Sequence, residues 1–191
     1  MKIYFTASLR GKKEFGNNYV AIVNSLVKQG NKVFSDHIIK SEPNSHLSQS
    51  KEEAKKNYDK VLSAIKKADV FVAEVSTQSL SVGHEVTEAM AINKPMIILY
   101  SGTDNRPGLL FGSVYDKMQI IRYDEDMNNL DGILAKAVED AMKHADVRFN
   151  FFVSPKILAY LDWVAQKRMI PRSVYLRNLI EKEMKKNKDF S

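Results

Sequence analysis

Glu85 is the residue whose placement points most directly to chemistry. It closes the stretch Ala68 to Glu85, in which Val70-Phe71-Val72-Ala73-Glu74-Val75 is a nearly all-apolar run, the pattern of a strand covered on both faces of a parallel sheet. A loop of small and polar residues, Ser76 to Val82, follows at the strand's carboxyl end, and Gly83 to Asn93 then alternates apolar and polar residues with helical spacing. That order predicts Glu85 in the first turn of a helix, facing the crevice where open α/β sheets bind ligands. A carboxylate so placed is a candidate for chemistry on a bound ligand. It can equally complement the helix dipole and cap backbone amides.

The elements that must hold it read as alternating strands and helices. Lys2 to Thr6 is a strand, and Phe15 to Gln29 a helix whose apolar stripe is Tyr19, Val20, Ile22, Val23, Leu26 and Val27, stopped by Gly30. Lys32 to Phe34 is a short strand, and Ser35 to Ser50 is a polar loop with Pro43 and two of the four histidines, long enough to act as a lid. Lys51 to Lys67 is helical, Met96 to Tyr100 and Gln119 to Tyr123 are strands, and Asp131 to Lys143 is a helix with Ile133, Leu134, Ala137, Val138 and Met142 facing inward. The fold class expected is α/β, a Rossmann-like doubly wound parallel sheet.

Composition narrows the chemistry. Cysteine is absent, which excludes disulfides and thiolate nucleophiles. No cofactor and no metal site is expected. No apolar run approaches the roughly 20 residues that span a bilayer, and Met1-Lys2 leads into a strand without a signal-peptide pattern; a cytoplasmic protein is expected. The net charge of +6 is uneven: residues 1–147 hold 19 Lys+Arg and 19 Asp+Glu, residues 148–191 hold 10 and 4. A neutral front and a basic tail imply two modules, 1–145 and 148–191, the second suited to a polyanionic partner.

Three separated motifs carry a family resemblance: Ile3-Tyr4-Phe5-Thr6-Ala7-Ser8-Leu9-Arg10-Gly11, the Ala68 to Glu85 block, and Ala91-Ile92-Asn93-Lys94-Pro95. In this order and spacing they resemble the nucleoside 2-deoxyribosyltransferase superfamily, most closely its 2′-deoxynucleoside 5′-phosphate N-hydrolase branch, over residues 1–145. The resemblance implies cleavage or transfer of the N-glycosidic bond of (2-deoxy)nucleosides or their 5′-monophosphates, with Glu85 as the nucleophile on the anomeric carbon. Tyr4 matches a family tyrosine whose hydroxyl lies close to that carboxylate, although a core aromatic is the competing role. Ser8, Arg10 and Gly11 lie in the first strand-to-helix loop, where side chains and amides can hold a 5′-phosphate. Ser79 matches a serine that contacts the same phosphate. Gly83 and His84 adjoin Glu85, and His84 either stacks on the base or stands exposed.

The chain also departs from the family. Relatives carry an aspartate on the helix before the catalytic strand where this chain has Val61; the nearest acid, Asp59, is two residues away, a rotation of roughly 200° on a helix, and serves as the catalytic candidate only if that helix is offset. The serine that relatives bring from a neighbouring subunit has Ser113 as its closest counterpart.

In the tail, Arg148 to Val153 alternates like a strand, Ser154-Pro155 opens one helix and Pro171-Arg172-Ser173 another. Ile157, Leu158, Leu161, Val164 and Ala165 share a face of the first, and Leu176, Leu179, Ile180 and Met184 a face of the second. This unit resembles ribbon-helix-helix domains, which implies paired strands between two chains, a dimer or multiple of dimers, and duplex DNA as partner. Arg148 and Asn150 would face bases, with Arg172 and Ser173 at a phosphate; Phe152 is unsuited to reading bases, and the usual interhelical glycine is replaced by Arg168-Met169-Ile170. A basic dimerisation tail is the alternative. For the whole chain the two functions in play are an N-glycosidase or transferase, and a nucleotide-sensing DNA-binding regulator that keeps the pocket without turnover.

Overall fold

The structure, a computed structural model, describes residues 1–43, 50–102, 105, 107–112, 115–124, 126–143 and 151–187. The chain divides into two compact units, Met1–Asp146 and Val147–Ser191.

The first unit is built on five strands, β1 (Lys2–Ala7), β2 (Lys32–Phe34), β3 (Val70–Glu74), β4 (Met96–Ser101) and β5 (Met118–Tyr123), all parallel in the order β2-β1-β3-β4-β5. β3 and β4 are buried along their whole length, which explains why both read as continuous apolar runs rather than alternating ones. The chain leaves β1 for β2 on one side and returns to β3 on the other, so the strand order reverses between β1 and β3. In such sheets this reversal opens the ligand crevice at the strands' carboxyl ends.

Two layers of helices cover the sheet. Side chains alternate along β1: Ile3, Phe5 and Ala7 join a core with Tyr19, Ile22 and Leu26 of α1 (Lys12–Lys28) and with Leu134, Ala137, Val138 and Ala141 of α6 (Leu130–Lys143). Tyr4 points the other way, into a core with Phe71, with Ile65 of α3 (Lys51–Lys67), and with Val82 and Val86 of α4 (Leu80–Ala91). A capping box starts α3: Ser50 Oγ accepts from the Glu53 amide and the Glu53 carboxylate accepts from the Ser50 amide.

Several expected boundaries move. α4 starts at Leu80 rather than Gly83, because Ser79 Oγ accepts from the Val82 amide and caps it. Glu85 is therefore the sixth helical residue, in the second turn and beyond the reach of end capping. α1 starts at Lys12, three residues before Phe15, and its stripe is narrower than expected, with Val20 42% and Val27 51% exposed. On α6 Met142 is exposed and Ala141 is buried. The expected 35–50 loop contains a one-turn helix, α2 (Asp36–Ile39), clamped by the Lys12 ammonium, which donates to the carbonyls of Ile38, Ile39 and Ser41 at 3.0, 2.7 and 2.6 Å. A second single turn, α5 (Gly108–Phe111), follows β4.

The second unit contains α7 (Pro155–Arg168) and α8 (Arg172–Met184). Ser154 caps α7 through the Ile157 amide, with Pro155 at the first helical position. Phe151 to Val153 belong to no strand of this chain, and Arg148 and Asn150 lie outside the described residues. Met169 ends α7 at φ 51° and ψ 39°, the left-handed conformation that glycine adopts most readily. Leu161 and Val164 are buried, whereas Ile157, Leu158, Leu179, Ile180 and Met184 are between 41% and 58% exposed.

Candidate active site

Tyr4 sits in mid-strand, paired with Phe71 on β3, and its ring stacks on the Phe71 ring with centroids 5.6 Å apart. The ring is a core aromatic; the hydroxyl is not. It donates to Glu85 Oε2 at 2.9 Å and lies 2.8 Å from His37 Nε2, with the His37 ring stacked on the Tyr4 ring at 5.1 Å. A phenol has one proton to give. If Glu85 takes it, the His37 Nε2 must carry a hydrogen and donate to the Tyr4 oxygen.

Electrostatics support that proton arrangement. Burial pushes His37 down to about 4, against the opposing pull of Asp36, so the ring is neutral near pH 7. The Tyr4 pKa is raised, first by burial and then by the Glu85 charge, which keeps its proton in place. Burial likewise raises Glu85, while the neighbouring Thr6 and Tyr4 hydroxyls and the His84 charge pull it back. The result is a half-buried carboxylate with one oxygen held by a phenol that will not ionise.

His37 and Glu85 line a cavity of about 700 Å³. Leu9 and Ser41 contribute from the β1 and α2 sides together with His37, α3 contributes Asn57, Tyr58, Val61 and Leu62, and α4 contributes Leu80, Ser81, His84 and Glu85. His84 stacks on Tyr58 with centroids 5.7 Å apart, its Nε2 3.4 Å from the Tyr58 hydroxyl. Tyr58 sits one turn before Val61 and Leu62 on α3, so its stack with His84 bridges α3 and α4 and gives the cavity an aromatic face suited to a flat ring. Asp59 is exposed and does not line the cavity; its position on α3 turns it from the face that Tyr58, Val61 and Leu62 present.

The other expected site residues lie around the strands' carboxyl edge. Ser8 is buried, its Oγ accepting from the Gly11 amide at 3.3 Å, and Arg10 is exposed. Gly11 is a position of close approach: a Cβ there would fall 2.6 Å from the Tyr19 hydroxyl and against the Thr77 side chain. Ser79 and Gly83 lie on a different stripe of α4 from Glu85 and line a second cavity of about 450 Å³, together with Ser76, Thr77 and Gln78. Ser113 lies outside the described residues. Arg172 pairs with Asp162, and Ser173 is exposed near the start of α8. Among the described residues no group of three or more acidic, histidine or cysteine side chains could hold a metal ion, and no helix is long and apolar enough to cross a membrane.

His37, Tyr58 and Asn57 were not assigned from sequence. His37 is followed by Ile38 and Ile39, and an apolar pair inside a polar loop was the signal that the loop folds back onto the core.

No family model matches the chain. Among curated proteins it is similar to the 5-hydroxymethyl-dUMP N-hydrolase of Danio rerio, 31% identical over 147 residues that cover 75% of this chain and all of that protein. The chain belongs to the 2′-deoxynucleoside 5′-phosphate N-hydrolase family. The family's Mus musculus 5-hydroxymethyl-dUMP N-hydrolase is 35% identical over 108 residues, 54% of this chain and 60% of that protein, so the match spans less than two thirds of the mouse protein's length. A relative from Syntrophotalea carbinolica, provisionally named 2′-deoxynucleoside 5′-phosphate N-hydrolase 1, is 33% identical over 126 residues, 65% of this chain and 85% of its own.

Proposed function

We propose that the first unit hydrolyses the N-glycosidic bond of 2′-deoxynucleoside 5′-monophosphates, with Glu85 as nucleophile. The observation that carries the reading is the buried Tyr4 hydroxyl bound to Glu85, which itself lines a cavity with an aromatic Tyr58–His84 face, in a chain of a family whose members are named for that cleavage. Tyr4 holds Oε2, which leaves Oε1 to attack the anomeric carbon from the face opposite the base. The C1′–N bond breaks as the ester bond forms, and its electron pair leaves with the base, which takes a proton from water. A second water then attacks the same carbon, the ester carboxylate departs, and the deoxyribose 5-phosphate is released with a proton lost to solvent. Leu9, Val61 and Leu62 supply apolar lining beside Glu85.

The Ser8 to Gly11 loop, Arg10 and Ser79 are the groups that would hold the 5′-phosphate. Incubation with a panel of 2′-deoxynucleosides and their 5′-monophosphates, followed by chromatography for free base, tests the reading. Base released from monophosphates in preference to nucleosides is the expected result; no base released from any member would overturn it.

A second reading, a nucleotide-responsive regulator that binds without turnover, is favoured by Val61 where relatives carry an aspartate and by the exposed Asp59. Its tail would act as a dimeric ribbon-helix-helix module on duplex DNA. The apolar side chains that α7 and α8 leave exposed in one chain are the surface a second copy would cover. Light scattering and DNA binding at rising salt test this part; the reading expects a dimer or multiple of dimers and a steep loss of affinity with salt.

A further inference from the structure

A second buried carboxylate stands at the same edge of the sheet and takes no part in the chemistry above. Glu74, the last residue of β3, is fully buried. Its Oε1 accepts from the Ser76 amide at 3.3 Å, from the Tyr123 hydroxyl at 3.0 Å, and from the Ser76 hydroxyl. The directions follow from donors that cannot reverse. The Ser101 amide donates to Ser76 Oγ at 2.8 Å and the Asn18 side-chain amide donates to the Tyr123 oxygen at 3.1 Å, so each hydroxyl receives one hydrogen and passes its own to Glu74. The carboxylate is the sink of a network that gathers the ends of β3, β4 and β5 and the first turns of α1.

The same network reaches both loops assigned to the phosphate. Ser76 begins the loop that ends at Ser79 and starts α4. Tyr19, next to Asn18 on α1, donates to the Ser8 carbonyl at 3.2 Å, and its hydroxyl stands close to Gly11 and near enough to Glu74 for that charge to raise its pKa. The two loops meet where Gly11 packs against Thr77, with no room for a side chain between them.

We propose that Glu74 is a positioning residue: it locks the Ser8 to Gly11 loop to the Ser76 to Ser79 loop in the spacing that receives the 5′-phosphate. The proposal rests on the reading of these loops as the phosphate site. A buried carboxylate is a costly way to hold a turn, and three donors converging on one oxygen fix the loop ends more rigidly than a hydroxyl at that position would. Displacing a binding group by about 1 Å can cost up to ~10²-fold, so the lock has a measurable consequence for phosphate and little for the base cavity.

Calorimetry on the full chain, with inorganic phosphate, one 2′-deoxynucleoside 5′-monophosphate and its parent nucleoside as probes, tests it. Glu74→Ala should weaken phosphate and monophosphate about tenfold or more and the nucleoside by less than about twofold, and Glu74→Gln, which keeps an acceptor oxygen, should recover most of that loss. If Glu74→Ala does not fold, Tyr123→Phe removes one donor to the carboxylate and should show the same selectivity at smaller size. Equal weakening of nucleoside and monophosphate, or unchanged monophosphate binding in folded Glu74→Ala, would overturn the proposal alone. Failure of the unsubstituted protein to bind monophosphate more tightly than nucleoside would overturn the phosphate site and this proposal with it.

Discussion

Glu74 and Glu85 are both half of a carboxylate–tyrosine pair at one edge of one sheet, and burial raises the pKa of both. They differ in what surrounds them. Glu74 is sealed, with Ser76 and Tyr123 converging on a single oxygen. Glu85 has one oxygen on Tyr4 and faces a cavity of about 700 Å³. The contrast teaches that a raised pKa and a tyrosine partner do not by themselves mark a nucleophile. An open side is what the proposed nucleophile Glu85 has and Glu74 lacks, and attack needs a free lone pair and room for the carbon that receives it.

The comparison breaks most sharply under substitution of the open carboxylate. Glu85→Ala should lower base release on the order of 10³-fold or more with the fold intact, whereas Glu74→Gln should change the turnover number by less than about threefold. Steady-state assays of both variants check this. Comparable losses in turnover would erase the distinction.

His37 sharpens the comparison, since it touches the open pair and not the sealed one. Its folded pKa of about 4 lies below the ordinary 6.5, so the unfolded chain binds more protons between these values. The stability it protects is fully present above about pH 6.5 and falls away as pH drops toward 4. His37→Gln should therefore flatten the acid side of the melting-temperature profile in that window. A profile unchanged from the unsubstituted protein would contradict the buried, neutral imidazole.

The smallest effect lies in the second unit. Met169 holds a left-handed backbone at φ 51°, a conformation that costs a non-glycine residue on the order of 1 kcal/mol. Met169→Gly should raise the melting temperature slightly, as calorimetry would show; a fall would mean that the Met169 side chain packs against something that offsets the strain.

Much of the first unit was legible because its signals are local. β3 and β4 are apolar up to their last residues, Glu74 and Ser101, and Gly30 stops α1. The start of α4 was misplaced because Ser76 to Ser81 reads as polar loop, and only the Ser79 cap shows where the helix begins. For His37 the local signal, Ile38 and Ile39 in a polar loop, says that the loop folds back but not where, because its place depends on Lys12, a residue 25 positions earlier whose ammonium gathers three carbonyls around α2. Asp59 lies two residues from the position that the resemblance requires, and the helix turns it to solvent while Tyr58 and Val61 face the cavity. In the tail, helix caps were readable from Ser154 and Pro155, but the strand expected there is absent at Phe151 to Val153.

The central claim is a covalent bond between Glu85 and the sugar. Rapid acid quench of the protein with a 2′-deoxynucleoside 5′-monophosphate, followed by proteolysis and mass spectrometry, measures it directly. A peptide containing Glu85 should gain the mass of one deoxyribose 5-phosphate less water, and the gain should vanish in Glu85→Ala. Base release without any such adduct, or an adduct on another residue, would contradict the account.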